Sequence, residues 1–576
     1  MAISVKEAAE PASSSDPSQS SSSLLAMTPF SYFTTPAYHA LTMLSRQACL
    51  SLFSRLNQAD AHGLLEITEK DGHSTIFGDP TSKRALRRSN AATTATELGS
   101  KSVGVNTAPR PEVFTHAVIK VNKESFWLRL VLGNDLGFAE SYMMSEIETP
   151  DLGACFKLFI ENRDVLANLS VGVVSKLSSY ISNQLNKRYA NTKTGSLRNI
   201  GAHYDISNTM YEAFLSKDMT YSCAVFPTLD ADVTGPLLEA VNQEAANTHT
   251  NGHSHLNGSQ RGAAAPLRYE VSSASTTPPG TTNGYLSPET HPGRQSPLPL
   301  ASDELEDGQL RKLRIHIDRA SLKSHHRVLE IGTGWGSFSL EAVRSSGCTV
   351  DSLTLSVEQK ALAEQRIAAA GLSDKIKVHL MDYRDMPPKW TDYFDRVVSI
   401  EMLEAVGIEF LQGYFQCINK VLKKDGGICV IQCITMPEER FETYINSVDF
   451  IKKWIFPGGV LPSVTSIIEN VEKGSKGTLI LDSVHSIGPH YSRTLREWRR
   501  RFSLHFDDTI APALLSDHEE IRRMSPSNQK KEIEIFKKKW LYYFIYCEVG
   551  FTERVIGNHI LSFTRSGNKT LPVCCA

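Results

Sequence analysis

The apolar positions change period along the chain. Between about residues 50 and 166, short runs such as GLLEIT (63–68), HAVIKV (116–121) and FWLRLV (126–131) are separated by turn residues. That pattern predicts strands and a small α/β or mostly β N-terminal domain. Residues 168–189 predict a linking helix. From residue 326 onward, continuous apolar runs alternate with stretches of helical period. Strands are expected near 327–332, 349–355, 376–381, 395–401 and 427–434, and helices near 337–346, 357–370 and 408–423. Such alternation builds parallel βαβ units and a doubly wound α/β sheet. Ligands bind at the carboxyl ends of such strands, where the sequence places Thr354, Gln359, Asp382, Tyr383, Glu404 and Cys433.

Between these regions the composition turns polar. Residues 1–23 are serine-rich and read as disordered, with 1–49 as a whole weakly structured, and 80–110 reads as an inserted loop. Residues 229–302, rich in Asn, Thr, Ser, Gly, Pro and His, read as a disordered insertion; His249, His253 and His255 there read as solvated rather than metal-binding. The expected organisation is a domain at 50–166, a linking and capping segment at 167–228, the insertion, a catalytic domain at 303–566 and a tail at 567–576. A chain of 576 residues holds two or three cores of this kind.

Net charge is −2, so nothing global draws the chain to nucleic acid. The basic clusters at 493–501 and 537–539 suit solvated helix faces first and anionic lipid head groups second. Ten cysteines without CxxC spacing argue against a zinc site and a disulfide framework. No run reaches the ~18 apolar residues of a spanning helix, and the N-terminus lacks a signal-peptide pattern. Residues 24–44 are apolar but interrupted by Pro29 and Pro36, which suits contact with a membrane surface. A cytoplasmic protein peripherally associated with membranes is the expectation.

The candidate chemistry centres on VLEIGTGWG (328–336). A strand passes through Gly332, Gly334 and Gly336 into a helix, which lets the backbone turn and a ligand approach closely. The G-x-G-x-G spacing is not that of dinucleotide enzymes, and no Walker lysine follows. A plain structural turn is the competing reading. Residues 202–226, dense in aromatic and polar side chains, suit a cap over a ligand.

With HYDISN (203–208), TYSCAVF (220–226), LTLSVEQ (353–359), DYRD (382–385), FDRVVSIEMLEAVG (394–407), IFPGGVLPS (455–463) and HYSRTLREWRRRF (490–502), the chain resembles the cyclopropane-fatty-acyl-phospholipid synthase family, together with the mycolic acid cyclopropane synthases. The resemblance covers most of 200–566 and implies a class I methyltransferase (Rossmann-like) fold that uses S-adenosylmethionine. It implies methylene transfer to the cis double bond of an unsaturated phospholipid, with the membrane surface as the place of action. The family's base is a bound bicarbonate held by a Cys, a Glu, a His and a Tyr. Carried over, Cys223 supplies a backbone amide, Glu404 the glutamate and Tyr491 the phenol. Cys433 stands where the family has its histidine, and Ala405 where it often has another. The cofactor contacts implied are Tyr221, Ser222, Gly332, Gly334, Trp335, Gly336, Thr354 and Gln359, with Asp382 and Tyr383 at adenine. No metal is implied. Two further readings stay open: C-methylation giving a methyl-branched fatty acid or sphingolipid base, and a non-catalytic lipid-binding relative. Oligomeric state is open too, a homodimer being one option.

Overall fold

The computed structural model describes residues 36–58, 60–78, 114–166, 208–229 and 303–569. Residues 1–35 of the expected weakly structured N-terminus, the inserted loop, the linking helix and the insertion after residue 229 lie outside these residues, as do residues 570–576 of the tail. Residues 36–49, expected to be weakly structured, instead belong to a helix, Pro36–Phe53, held by burial of its apolar residues Cys49, Leu52 and Phe53.

The N-terminal part consists of α1 (Pro36–Phe53), β1 (Leu64–Thr68), β2 (Ser74–Phe77), β3 (His116–Val121), α2 (Ser125–Met143), β4 (Ile147–Glu148) and α3 (Leu152–Glu161). Its sheet has the order β2-β1-β3-β4, with β1 and β3 parallel. Residues 126–131, expected as a strand, form the start of α2. The alternation there is false, because the polar position is not solvated. Phe126, Trp127, Leu128 and Arg129 are buried in succession. Arg129 is satisfied by Glu140 at 3.2 Å and Glu146 at 3.0 Å.

A short helix α4 (Asn208–Phe214) precedes the capping segment. The large domain continues through α5 (Glu304–Arg319), β5 (Arg327–Ile331), α6 (Ser337–Ser346), β6 (Thr349–Thr354), α7 (Val357–Ala369), β7 (Ile376–Leu380), β8 (Arg396–Ile400), α8 (Leu411–Val421), β9 (Ile428–Thr435), α9 (Glu438–Ile445), α10 (Val464–Ser475), β10 (Leu479–Ser486), α11 (Gly488–Leu504), α12 (Pro526–Thr552) and β11 (Gly557–Arg565). Its sheet runs β10-β11-β9-β8-β5-β6-β7. The five expected strands are parallel. Two unforeseen strands extend the sheet: β11 antiparallel to β9, and β10 antiparallel to β11. The chain winds both ways from β5, so a crevice opens beyond the carboxyl ends of β5 and β8. Apolar side chains of both sheet faces fill two cores, and α12, packed on α11, meets α2 and α3 of the N-terminal part.

Candidate active site

The glycine loop leaves β5 with φ of 102° at Gly332 and 51° at Gly334, a region open mainly to glycine. A Cβ on Gly332 would lie 3.2 Å from Met402, while one on Gly334 would meet nothing within 4 Å. It would stand in a cavity of about 210 Å³ beyond the strand ends. Tyr221, Ser222, Gly332, Gly334, Trp335, Thr354, Gln359, Asp382 and Tyr383 all line that cavity. Gly336 does not; it is the N-cap of α6, where a Cβ would crowd Ala363 at 3.3 Å.

The wall is fixed by its own hydrogen bonds. Trp335 Nε1 donates to Asn208 Oδ1 at 2.9 Å. Thr354 Oγ1 donates to Gln359 Oε1 at 3.0 Å. The Asp382 carboxylate accepts from Arg384 N and Nε, each at 2.8 Å. Two charged residues that the sequence reading missed also line it. Lys312 donates from Nζ to Ser222 Oγ at 2.6 Å, and burial pulls its ammonium down to about 8. Glu330 accepts from Ser339 and Ser352, and burial pushes its carboxyl up to about 7. An open cradle over a left-handed glycine, at the switch point of a doubly wound sheet, fits an adenosyl cofactor.

A second, largely apolar cavity of about 550 Å³ runs from this crevice to the N-terminal part. One end is lined by Tyr221, Glu401, Glu404, Ala405 and Tyr491, and the other by Cys49, Leu52 and Phe53 of α1 with Phe138, Phe156 and Phe159. Tyr221, Glu401 and Ala405 line both cavities.

Glu401 occupies their junction. It follows β8 with φ of 48°, a conformation that costs a non-glycine residue about 1 kcal/mol. Its Oε1 accepts from Cys223 N at 3.0 Å, Gln432 Nε2 at 2.7 Å and Asn558 Nδ2 at 2.6 Å, and its Oε2 from the Tyr491 hydroxyl at 2.6 Å. The two donors that the resemblance assigned to bicarbonate, Cys223 N and Tyr491 OH, are therefore directed at a carboxylate of the chain itself. Burial, with Glu401 beside it, holds the Tyr491 phenol well above its ordinary range, so it stays a donor.

Glu404 stands beside this cage. Ile434 N donates to its Oε1 at 2.6 Å, and Oε2 has no partner among the described residues. Burial and then Glu401 push its carboxyl up, favouring the protonated acid. Burial and Glu401 also hold the Cys223 thiol well up, which disfavours the reactive thiolate, while its backbone amide donates to Glu401. Cys433 differs from expectation. It is fully buried in the core, lines neither cavity, and has its thiol pushed well up by burial. Side chains alternate across a strand, so the contacts to the site come from its neighbours Gln432 and Ile434.

Fold and cavity together define a class I methyltransferase, with S-adenosylmethionine as its cofactor. The family model "Mycolic acid cyclopropane synthetase" matches residues 191–247 and 298–560. The chain belongs to that family. It is 30% identical over 432 residues to tuberculostearic acid methyltransferase UfaA1 of Mycobacterium tuberculosis, covering 75% of this chain and 79% of that one. It is also 30% identical over 272 residues to the cyclopropane-fatty-acyl-phospholipid synthase of Escherichia coli, covering 47% of this chain and 62% of that enzyme. Among solved structures, the cyclopropane synthase MmaA2 from Mycobacterium tuberculosis matches with 20% identity and a TM-score of 0.43, over 64% of this chain and 98% of that one.

Proposed function

We propose that the protein methylates a carbon of a cis double bond in a phospholipid acyl chain, and that Glu401 is the base that removes the resulting proton. The observation that carries this is the Glu401 carboxylate, held by four donors where the two cavities meet. S-adenosylmethionine supplies an electrophilic methyl group when bound. The apolar cavity aligns a weakly nucleophilic double bond and keeps water away. Methyl transfer to one alkene carbon leaves a cation on the other. The faces of Tyr221 and Tyr491, at that end of the cavity, stabilise it.

Two outcomes follow from that cation. A 1,2-hydride shift places the charge on the methylated carbon, and loss of a methyl proton to Glu401 then leaves a methylene branch. Without the shift, the electron pair of the same C–H bond closes a cyclopropane. The methylene-branched chain is the leading reading, because a relative aligned over three quarters of the chain is named for a methyl-branched acid. Its saturation would need a separate hydride donor. The family's cyclopropane synthases favour the ring as the second reading.

The same reading puts the protein at a lipid surface. Helix α1, which lines the acyl cavity with Cys49, Leu52 and Phe53, carries Leu41, Met43 and Leu44 nearer its N-terminus, and these are 49%, 72% and 63% exposed. No helix among the described residues is long and apolar enough to cross a membrane.

The test is incubation of purified protein with methyl-deuterated S-adenosylmethionine and vesicles of a monounsaturated phospholipid. Mass spectrometry of the released fatty acids should show one added carbon carrying two deuterium atoms. Ozonolysis then cleaves the methylene isomer and spares the ring. Unaltered fatty acids would refute the proposal.

A further inference from the structure

Two buried side chains of opposite charge face the cofactor cavity and take no part in the proton chemistry. Lys312, on α5, is 0% exposed, and Glu330, at the end of β5, is 4% exposed. Burying an ammonium costs several kcal/mol unless it is compensated. Ser222 Oγ is the hydrogen-bond partner of Lys312 Nζ among the described residues, and it takes one of three N–H donors. Glu401, Asp218 and Glu330 act on Lys312 electrostatically. The first two are satisfied elsewhere: Glu401 by its four donors, Asp218 by the hydroxyls of Ser216 and Thr220. Glu330 has its Oε2 held by two serine hydroxyls. A cavity walled by one ammonium and one carboxyl suits a zwitterion better than a neutral nucleoside.

We infer that Lys312 binds the α-carboxylate of the cofactor's amino-acid part. Lys312 is thus a specificity-determining residue for the intact cofactor, whichever lipid product forms. Ser222 gains a role as well, since its hydroxyl holds the ammonium in place on the capping segment. Asp382 and Tyr383, after β7, are left for the adenosine end.

The experiment is isothermal titration of the full chain with three nucleosides: S-adenosylhomocysteine, its decarboxylated analogue, and 5′-deoxy-5′-methylthioadenosine, which lacks the amino-acid part. The wild type should prefer S-adenosylhomocysteine to each of the others by at least about thirtyfold. Lys312→Met should lose at least about tenfold of S-adenosylhomocysteine affinity while keeping methylthioadenosine affinity within about threefold. Equal wild-type affinity for S-adenosylhomocysteine and its decarboxylated analogue would overturn the inference with no variant needed. Equal losses for all three ligands in a folded Lys312→Met protein would also overturn it. A wild type that bound none of them would instead strike at the cofactor assignment.

Discussion

Replacing Glu401 with glycine tests the internal base directly. The left-handed backbone at φ 48° is relaxed by glycine, which returns about 1 kcal/mol. Against that, Cys223 N, Gln432 Nε2, Asn558 Nδ2 and the Tyr491 hydroxyl lose their acceptor. An unsatisfied buried donor costs about 1–3 kcal/mol, so the variant should fold but melt lower. Turnover should fall by about 10²–10⁴, the usual worth of a positioned base, or roughly 3–5 kcal/mol of barrier. The vacated space keeps four donors set for a planar carboxylate. Formate or bicarbonate should therefore restore part of the turnover and raise the melting temperature, whereas chloride should do neither. Glu401→Gln fills the space without supplying a base, so it should be equally slow and not rescued. The assay is methyl incorporation into vesicle phospholipid, titrated with each anion in carbonate-depleted buffer. The wild type should be indifferent to bicarbonate. Glu401→Gln turnover above a tenth of wild type, or wild-type dependence on bicarbonate, would refute the reasoning.

Gly334→Val places a branched Cβ in the cofactor cradle at φ 51°. It should weaken S-adenosylhomocysteine binding at least tenfold, about 1.4 kcal/mol; unchanged affinity in a folded protein would count against the cradle. Glu330, raised to about 7 in the fold, favours the folded state most below its unfolded value near 4.5 and loses that contribution as pH rises through 7. Without ligand, Glu330→Gln should gain stability relative to wild type between pH 5 and 8, by up to about 3 kcal/mol; parallel melting curves would contradict this. The described chain on either side of the 229–302 segment comes together, since Val225 N donates to Gly308 O at 3.0 Å. A short Gly/Ser linker in its place should keep most of the turnover at little entropic cost, as a methyl-incorporation assay would report.

The strand–glycine–helix run at 327–346 was legible because continuous apolar residues and forced left-handed glycines leave few alternatives. The resemblance led to Cys223, Glu404 and Tyr491, all of which lie around the junction, but it passed over Glu401 three residues before Glu404. The signal was present: two acids close a buried strand at the switch point of the sheet. Only the fold shows which of them the donors surround. Lys312 was hidden for another reason. On an isolated helix, RKLR reads as a solvated face, and burial of the lysine depends on the capping segment packed over it. At Cys433 the residue type drew notice, whereas strand parity places Gln432 and Ile434 toward the site. Helix α2 escaped detection because a buried ion pair at Arg129 imitates the polar phase of a strand.

The wall shared by the two cavities has a thermodynamic consequence. Tyr221, Glu401 and Ala405 are surfaces for both ligands. A rotamer or backbone shift that one ligand selects there alters the free energy with which the other binds. Linkage makes that effect reciprocal: whatever factor the lipid applies to cofactor affinity, the cofactor applies to lipid affinity. If the demethylated cofactor and the methylated chain fit this wall less well together than their precursors do, each promotes departure of the other, and turnover gains a direction without a moving lid.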